Sequence, residues 1–167
     1  MRREDPADRA AIRGVLKAAF PTSAEADLVE AIRVSGGYVP GYALVAELAG
    51  AVVGHILLST VTLVTGGGLV PVPELAPMAV QPAHQRQGIG SALVIAALDA
   101  AEASDEPLVL VLGHPWFYPR FGFRPASRFG IRAPRPVPDA VFMVKPLTTY
   151  RRELSGPVVL PPAFDGV

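Results

Sequence analysis

The chain has 167 residues, 50 % hydrophobic and 18 % charged, with 15 basic against 15 acidic side chains. That size and composition suit one globular domain with a substantial core and exclude a disordered chain. The zero formal net charge gives no general reason to bind nucleic acid or an anionic membrane, and the lack of cysteine removes disulfides, thiolate metal sites and cysteine nucleophiles.

No apolar run reaches the roughly 18 residues that a membrane span needs. Met1-Arg2-Arg3-Glu4-Asp5 is charged where a secretion signal would be apolar, so a cytoplasmic protein is expected. Asp5-Pro6-Ala7-Asp8 places acidic residues where a helix dipole favours them, and Ile12, Val15, Leu16 and Ala19 follow helical spacing. We read a helix over 7–20, broken by Pro21-Thr22-Ser23. A second helix, over 25–34, carries Leu28, Val29 and Ile32 on one face and stops at Gly36-Gly37. Either these helices only cover a sheet, or their junction around 20–26 is one wall of a substrate cleft.

From Tyr42 the period changes to that of strands. Residues 42–48 and 51–63 are rich in valine, leucine and isoleucine, and Ala49-Gly50 between them signals a hairpin. Gly66-Gly67-Gly68 marks another turn before a strand over 69–80. Pro71, Pro73 and Pro77 fall in that strand. Proline cannot donate to a ladder, so the strand is predicted to be bulged or unpaired along part of one side.

A glycine turn, His84-Gln85-Arg86-Gln87-Gly88-Ile89-Gly90, then opens a helix over 88–103, with Ile89, Leu93, Ala96, Ala97 and Ala100 as its core-facing stripe. Strand, glycine turn and helix in that order make an anion site, because the first-turn N–H groups and the positive dipole end face the turn. The apolar run 108–112 suits a strand buried on both faces, which completes a βαβ unit with parallel strands. An aromatic stretch over 113–123, a proline-rich loop over 134–138 and a strand over 141–144 follow. The tail, 156–167, offers an edge strand to this sheet or to a second subunit as a homodimer. There is no internal repeat and no linker between domains. No His/Asp/Glu spacing suggests a metal site, and His55 and His84 read as ordinary strand and loop residues.

Gln85-Arg86-Gln87-Gly88-Ile89-Gly90 fits the Q-x-x-G-x-G signature of the GNAT superfamily of N-acetyltransferases, placed as in that family between a strand and a helix. Tyr118-Pro119-Arg120-Phe121-Gly122-Phe123 resembles the family's downstream Y-x-x-x-G-F element. The element order is similar over residues 1–147, with 148–167 as a tail of the same domain. The resemblance implies an α/β (α+β) fold: a single mixed, mostly antiparallel sheet with a central splayed parallel strand pair, flanked by helices. It also implies acetyl-CoA as acyl donor, no metal, and a primary amine of a small molecule or peptide as acceptor.

On this resemblance Met78, Ala79 and Val80 would lie along the cofactor, with main-chain groups of Met78 and Val80 bonding the pantetheine arm. The pyrophosphate would sit on the turn formed by Gln85, Arg86, Gln87, Gly88, Ile89, Gly90 and Ser91. Arg86 would add charge there or simply be a solvated surface arginine. Tyr118 matches the tyrosine that protonates the departing sulfur, and a phenol with a pKa near 10 stays a donor at neutral pH. For the base there are two candidates. Glu74 stands where some members carry a catalytic glutamate, unless it is an exposed strand-end carboxylate. His114, at the end of the buried strand, replaces the asparagine many relatives carry, and the helix after it is expected to be shortened by Pro115 and Pro119. A second reading keeps fold and donor but drops catalysis, leaving an acyl-CoA sensor. A nucleotide-binding module is disfavoured, since G-x-x-x-x-G-K-[ST] is absent.

Overall fold

The computed structural model describes residues 1–166. Asp5 opens the first helical segment with a capping box: its side chain accepts from the Ala7 N–H, and the Asp8 carboxylate accepts from the Asp5 N–H. Pro6–Asp8 forms a 3₁₀ turn before helix α1 (Arg9–Ala19), so the predicted single helix is split at its start. Helix α2 (Ala24–Val34) follows. Both bury their apolar stripes, including Ile12, Leu16, Leu28 and Ile32, against one face of a sheet.

The described strands are β1 (Arg2–Arg3), β2 (Ala43–Leu48), β3 (Ala51–Thr65), β4 (Gly68–Val80), β5 (Leu108–Leu112), β6 (Arg124–Pro125), β7 (Ile131–Arg132), β8 (Phe142–Pro146) and β9 (Gly156–Val159). Their order is β1-β2-β3-β4-β5-β8-β6, with β9 pairing β3 and β7. Pairing is antiparallel except between β4 and β5 and between β7 and β9. The predicted mixed, mostly antiparallel sheet flanked by helices is therefore what the chain forms. At the β2–β3 hairpin, Ala49 and Gly50 both have positive φ, 50° and 79°, the turn conformation that matches strand twist. The tail strand β9 pairs Val158 and Val159 with Leu63 and Thr62 of its own chain.

Helix α3 (Ile89–Ala103) covers the opposite face. Its i, i+4 row Leu93–Ala97–Ala101 meets the sheet, with Val94 beside it. This corrects the predicted stripe. Ile89, Ala96 and Ala100 are only partly buried, because an alanine-rich helix that is apolar nearly all round gives no sharp sequence stripe to mark the face that packs.

The prolines of β4 mark where its pairing changes. Between the pairs Leu58↔Leu75 and Ile56↔Met78, two β4 residues, Ala76 and Pro77, face the single residue Leu57. That is a β-bulge, as proline in a strand predicts. On its other side β4 pairs with β5 only at Glu74↔Leu110 and Leu75↔Val111. Pro71 and Pro73 precede that contact, where β4 is paired on one side alone. After Leu75 the two parallel strands separate, and the splayed pair opens there.

Behind β3 lies a buried polar cluster. The Glu4 carboxylate accepts from Arg33 Nε at 3.0 Å and Nη2 at 2.9 Å, from the Tyr38 hydroxyl at 2.8 Å, and from His55 Nε2 at 3.0 Å. The side chains of Arg33, Glu4 and His55 are 2 %, 6 % and 0 % exposed, so the pairing decides whether those charges can be buried at all. His55 is thus more than an ordinary strand residue: it ties the N-terminal segment to β3.

Candidate active site

A cavity of about 830 Å³ begins where β4 and β5 diverge. Its floor is the bulged part of β4, from Glu74 to Met78 and again at Val80. One end runs to the glycine turn, where Gln85, Arg86, Gly88, Gly90 and Ser91 line it. The other end is closed by the α1–α2 junction, the loop around Arg135 and the tail residues Leu160 and Phe164. The segment after β5 contributes Gly113, His114, Trp116, Phe117 and Tyr118.

The turn is shaped by backbone conformation more than by side-chain contacts. Arg86 and Gly88 adopt φ of 60° and 86°, the left-handed region, and Gly88 caps α3. Glycine removes the steric cost of that conformation at position 88. The Gln85 side chain turns inward and donates to the Val80 carbonyl at 3.0 Å, joining the turn to the end of β4. Gln87 folds back onto the Ala83 carbonyl at 3.2 Å. The N–H groups of the first turn of α3 have no helical acceptors, and the dipole's positive end lies beside them. Among the predicted cofactor residues, Met78, Val80, Gln85, Arg86, Gly88, Gly90 and Ser91 wall the cavity, whereas Ala79, Gln87 and Ile89 stand outside its wall.

Tyr118 sits on a short 3₁₀ turn, Tyr118–Phe121, that takes the place of a longer helix, in line with the flanking prolines. Its ring is held edge-on by Phe117 at 5.1 Å and Phe123 at 5.6 Å. It also lies so close to the Gly113 backbone that a Cβ at 113 would overlap it. Burial pushes the phenol up to about 12, so it stays protonated. His114 lies at the rim, exposed, and stacks on Trp116 at 5.1 Å.

Glu74 is not an exposed strand-end carboxylate. It is 4 % exposed at the vertex of the diverging strands, and its Oε2 has no hydrogen-bond partner. Burial raises its pKa to about 7, against a smaller lowering by the Arg135 charge. On the facing strand Ser59, its register partner, also has a buried hydroxyl without a partner. Glu25, at the start of α2, lines the same cavity and has a buried, unpartnered Oε2. The sequence offered the 20–26 junction as a cleft wall, and Phe20 and Glu25 do line the cavity, but nothing singled out Glu25 or Phe117: an acidic residue in a first helical turn looks like dipole matching, and a phenylalanine in an aromatic run looks like core. Among the described residues no group of three or more His, Asp or Glu side chains is placed to hold a metal ion.

A sheet split between two parallel strands, with an anion turn at one end of the gap, defines the acyl-CoA N-acyltransferase class. Residues 40–125 match the acetyltransferase (GNAT) domain model. The uncharacterized N-acetyltransferase YjhQ of Escherichia coli is 36 % identical over 156 residues, covering 91 % of this chain and 86 % of that one. The crystal structure of the Escherichia coli GNAT family N-acetyltransferase YhbS in complex with CoA superposes with a TM-score of 0.87 at 30 % identity, covering 98 % of this chain and 90 % of that one. A GNAT family acetyltransferase from Brucella melitensis in complex with acetyl-CoA gives 0.78 at 31 % identity, covering 98 % and 96 %. The chain belongs to the GNAT family and is an N-acetyltransferase.

Proposed function

We propose that the chain moves an acetyl group from acetyl-CoA to a primary amine by direct attack while both substrates are bound, with Glu74 as general base and Tyr118 as general acid. The observation that carries this reading is the placement of Glu74, a buried carboxylate with an unpartnered oxygen at the strand vertex, in one cavity with Tyr118 and the anion turn. The residues fit an acyl-CoA. The turn supplies unpaired N–H groups for a pyrophosphate, the open edge of β4 supplies main-chain groups for the pantetheine, and the relatives YhbS and its Brucella counterpart were solved with CoA and acetyl-CoA.

Acetyl-CoA, when bound, supplies an activated acetyl group. Glu74 takes the proton from the ammonium of the acceptor, directly or through water. The Met78 or Val80 N–H donates to the thioester oxygen as charge develops on it. The freed amine attacks the carbonyl carbon, and Tyr118 gives its proton to the sulfur as the C–S bond breaks; the second proton that the nitrogen sheds as the amide forms restores the phenol. His114, exposed and stacked on Trp116, has none of the burial that prepares Glu74 for the base role.

The pH dependence follows from the sign of the Glu74 shift. A base is active when deprotonated, so kcat/KM should fall about tenfold per unit as pH drops below about 7. Glu74→Gln should remove that limb and lower kcat by about 10²–10⁴-fold. Because the folded pKa lies above the ordinary carboxylate value of 4.5, the contribution of Glu74 to stability is lost as pH rises from 4.5 to about 7. The same Gln variant should therefore melt higher than the wild type at pH 8. A pH profile unchanged by the substitution, measured by thiol release with a panel of amines, would remove Glu74 from the base role.

The two glycines of the turn should separate fold from binding. Gly88→Ala places a side chain at φ 86° and should cost about 1–2 kcal/mol in chemical denaturation. At Gly90 the nearest atoms to an added Cβ are side-chain atoms of Phe117, Val80 and Met78 at 3.7–3.8 Å, ordinary contact distances, so the fold accepts it. Gly90→Ala should keep or raise Tm yet weaken acetyl-CoA binding by about tenfold or more by calorimetry, because position 90 lines the cavity at the anion turn, where added bulk holds the donor away from the backbone.

A further inference from the structure

Glu25 takes no part in the chemistry above, yet the residue lines the reaction cavity and one of its carboxylate oxygens is shielded from solvent and lacks a partner. A buried acceptor without a donor is costly in a fold, and a bound ligand is one of the few things that offsets that cost. The second observation is independent of it. Glu74, 4 % exposed on the neighbouring sheet face, leaves Oε2 unpartnered toward the same cavity. The rest of that end is apolar, formed by Phe20, Leu28, Leu160 and Phe164. Arg135, the cation of this wall, is already partnered within the chain.

We infer that the acceptor is a cationic amine on an apolar body, without a carboxylate beside the nitrogen, and that Glu25 is the binding residue that receives its N–H groups. Two carboxylates attract an ammonium and repel an acid, while the apolar wall accepts a hydrocarbon or aromatic body. An α-amino acid would bring its own carboxylate into the cavity that Glu25 and Glu74 both line. This inference rests on the acetyltransferase reading of the site and names the class of acceptor for it.

The test measures binding and turnover separately. Calorimetry of protein saturated with CoA, titrated with phenethylamine and with phenylalanine, should show the amine binding at least tenfold more tightly than the amino acid. Glu25→Gln should weaken phenethylamine binding at least tenfold, raise its KM by a similar factor with kcat little changed, and leave acetyl-CoA affinity alone. Its Tm should not fall, since no intramolecular hydrogen bond of that oxygen is lost. Equal binding of phenylalanine, no phenethylamine binding by the wild type, or unchanged binding by Glu25→Gln would each overturn the inference. Binding as expected but without acetyl transfer would instead count against the catalytic reading and leave the acceptor class standing.

Discussion

Tyr118→Phe is expected to lower kcat by about 10²–10⁴-fold, the range for loss of a general acid, while the Kd for acetyl-CoA and the Tm stay at wild-type values. The separation is possible because of how the ring is held. Its position comes from Phe117, Phe123 and the close backbone of Gly113, none of which uses the hydroxyl. Burial is the cause of the raised phenol pKa, and no hydrogen bond contributes to it. Phenylalanine therefore removes a proton and almost nothing else. A phenol held at about 12 also cannot deprotonate in the working range, so no fall in rate from Tyr118 is expected up to pH 9. Wild-type turnover by Tyr118→Phe would exclude the acid assignment. Gly113→Ala should mimic the loss for a different reason, since its methyl group displaces the ring that Tyr118→Phe leaves in place.

The largest effect on stability is expected from Glu4→Ala. Removing one partner from a buried ion pair typically costs about 3–5 kcal/mol, because the remaining charge has no water to return to. Here Arg33, whose side chain is 2 % exposed, would keep only the half-exposed Glu30 as a partner, and Tyr38 and His55 would lose an acceptor as well. In a domain of this size that loss lowers Tm by roughly 6–20 °C. Burial on its own would raise the Glu4 pKa, but hydrogen bonds from His55, Arg33 and Tyr38 outweigh it and hold the group at about 2. A folded pKa below the ordinary 4.5 means that this stability is complete above pH 4.5 and is lost as pH falls toward 2. His55 acts in the same direction. Burial lowers its pKa from 6.5, so the unfolded chain takes up the proton first as the solution is acidified. Denaturant melts at pH 4.5 and pH 2 should show the wild type losing more stability than Glu4→Ala over that interval. Equal losses would mean that the cluster does not carry the acid sensitivity.

The sequence by itself determined the features that are local along the chain. The strand, glycine turn and helix over 75–103 are contiguous, and their geometry follows from residue types a few positions apart: valine and leucine runs, a glycine able to take φ 86°, an alanine-rich helix. Pro77 announced an irregular strand for the same reason, since a missing N–H is a property of one residue. The family resemblance rested on these segments together with the short run Tyr118 to Phe123, which is equally local. Two-residue strands such as β6 and β7 were beyond reach, because so short a run has no period to read.

Tertiary structure decided everything that depends on what covers a residue. Glu74 has the same neighbours in sequence whether it is buried or exposed; the layers packed on β4, α1 and α2 among them, bury it, and that burial raises its pKa to about 7 against the opposing charge of Arg135. Glu4 and His55 are 51 positions apart and meet only because β1 lies against β2 and β2 against β3. Gly113 and Tyr118 are near in sequence, yet their close contact needs the 3₁₀ turn after β5. Burial of a charge is a property of the packed layers around it, so the chemistry of this site became readable only once the sheet had its helices and its tail in place.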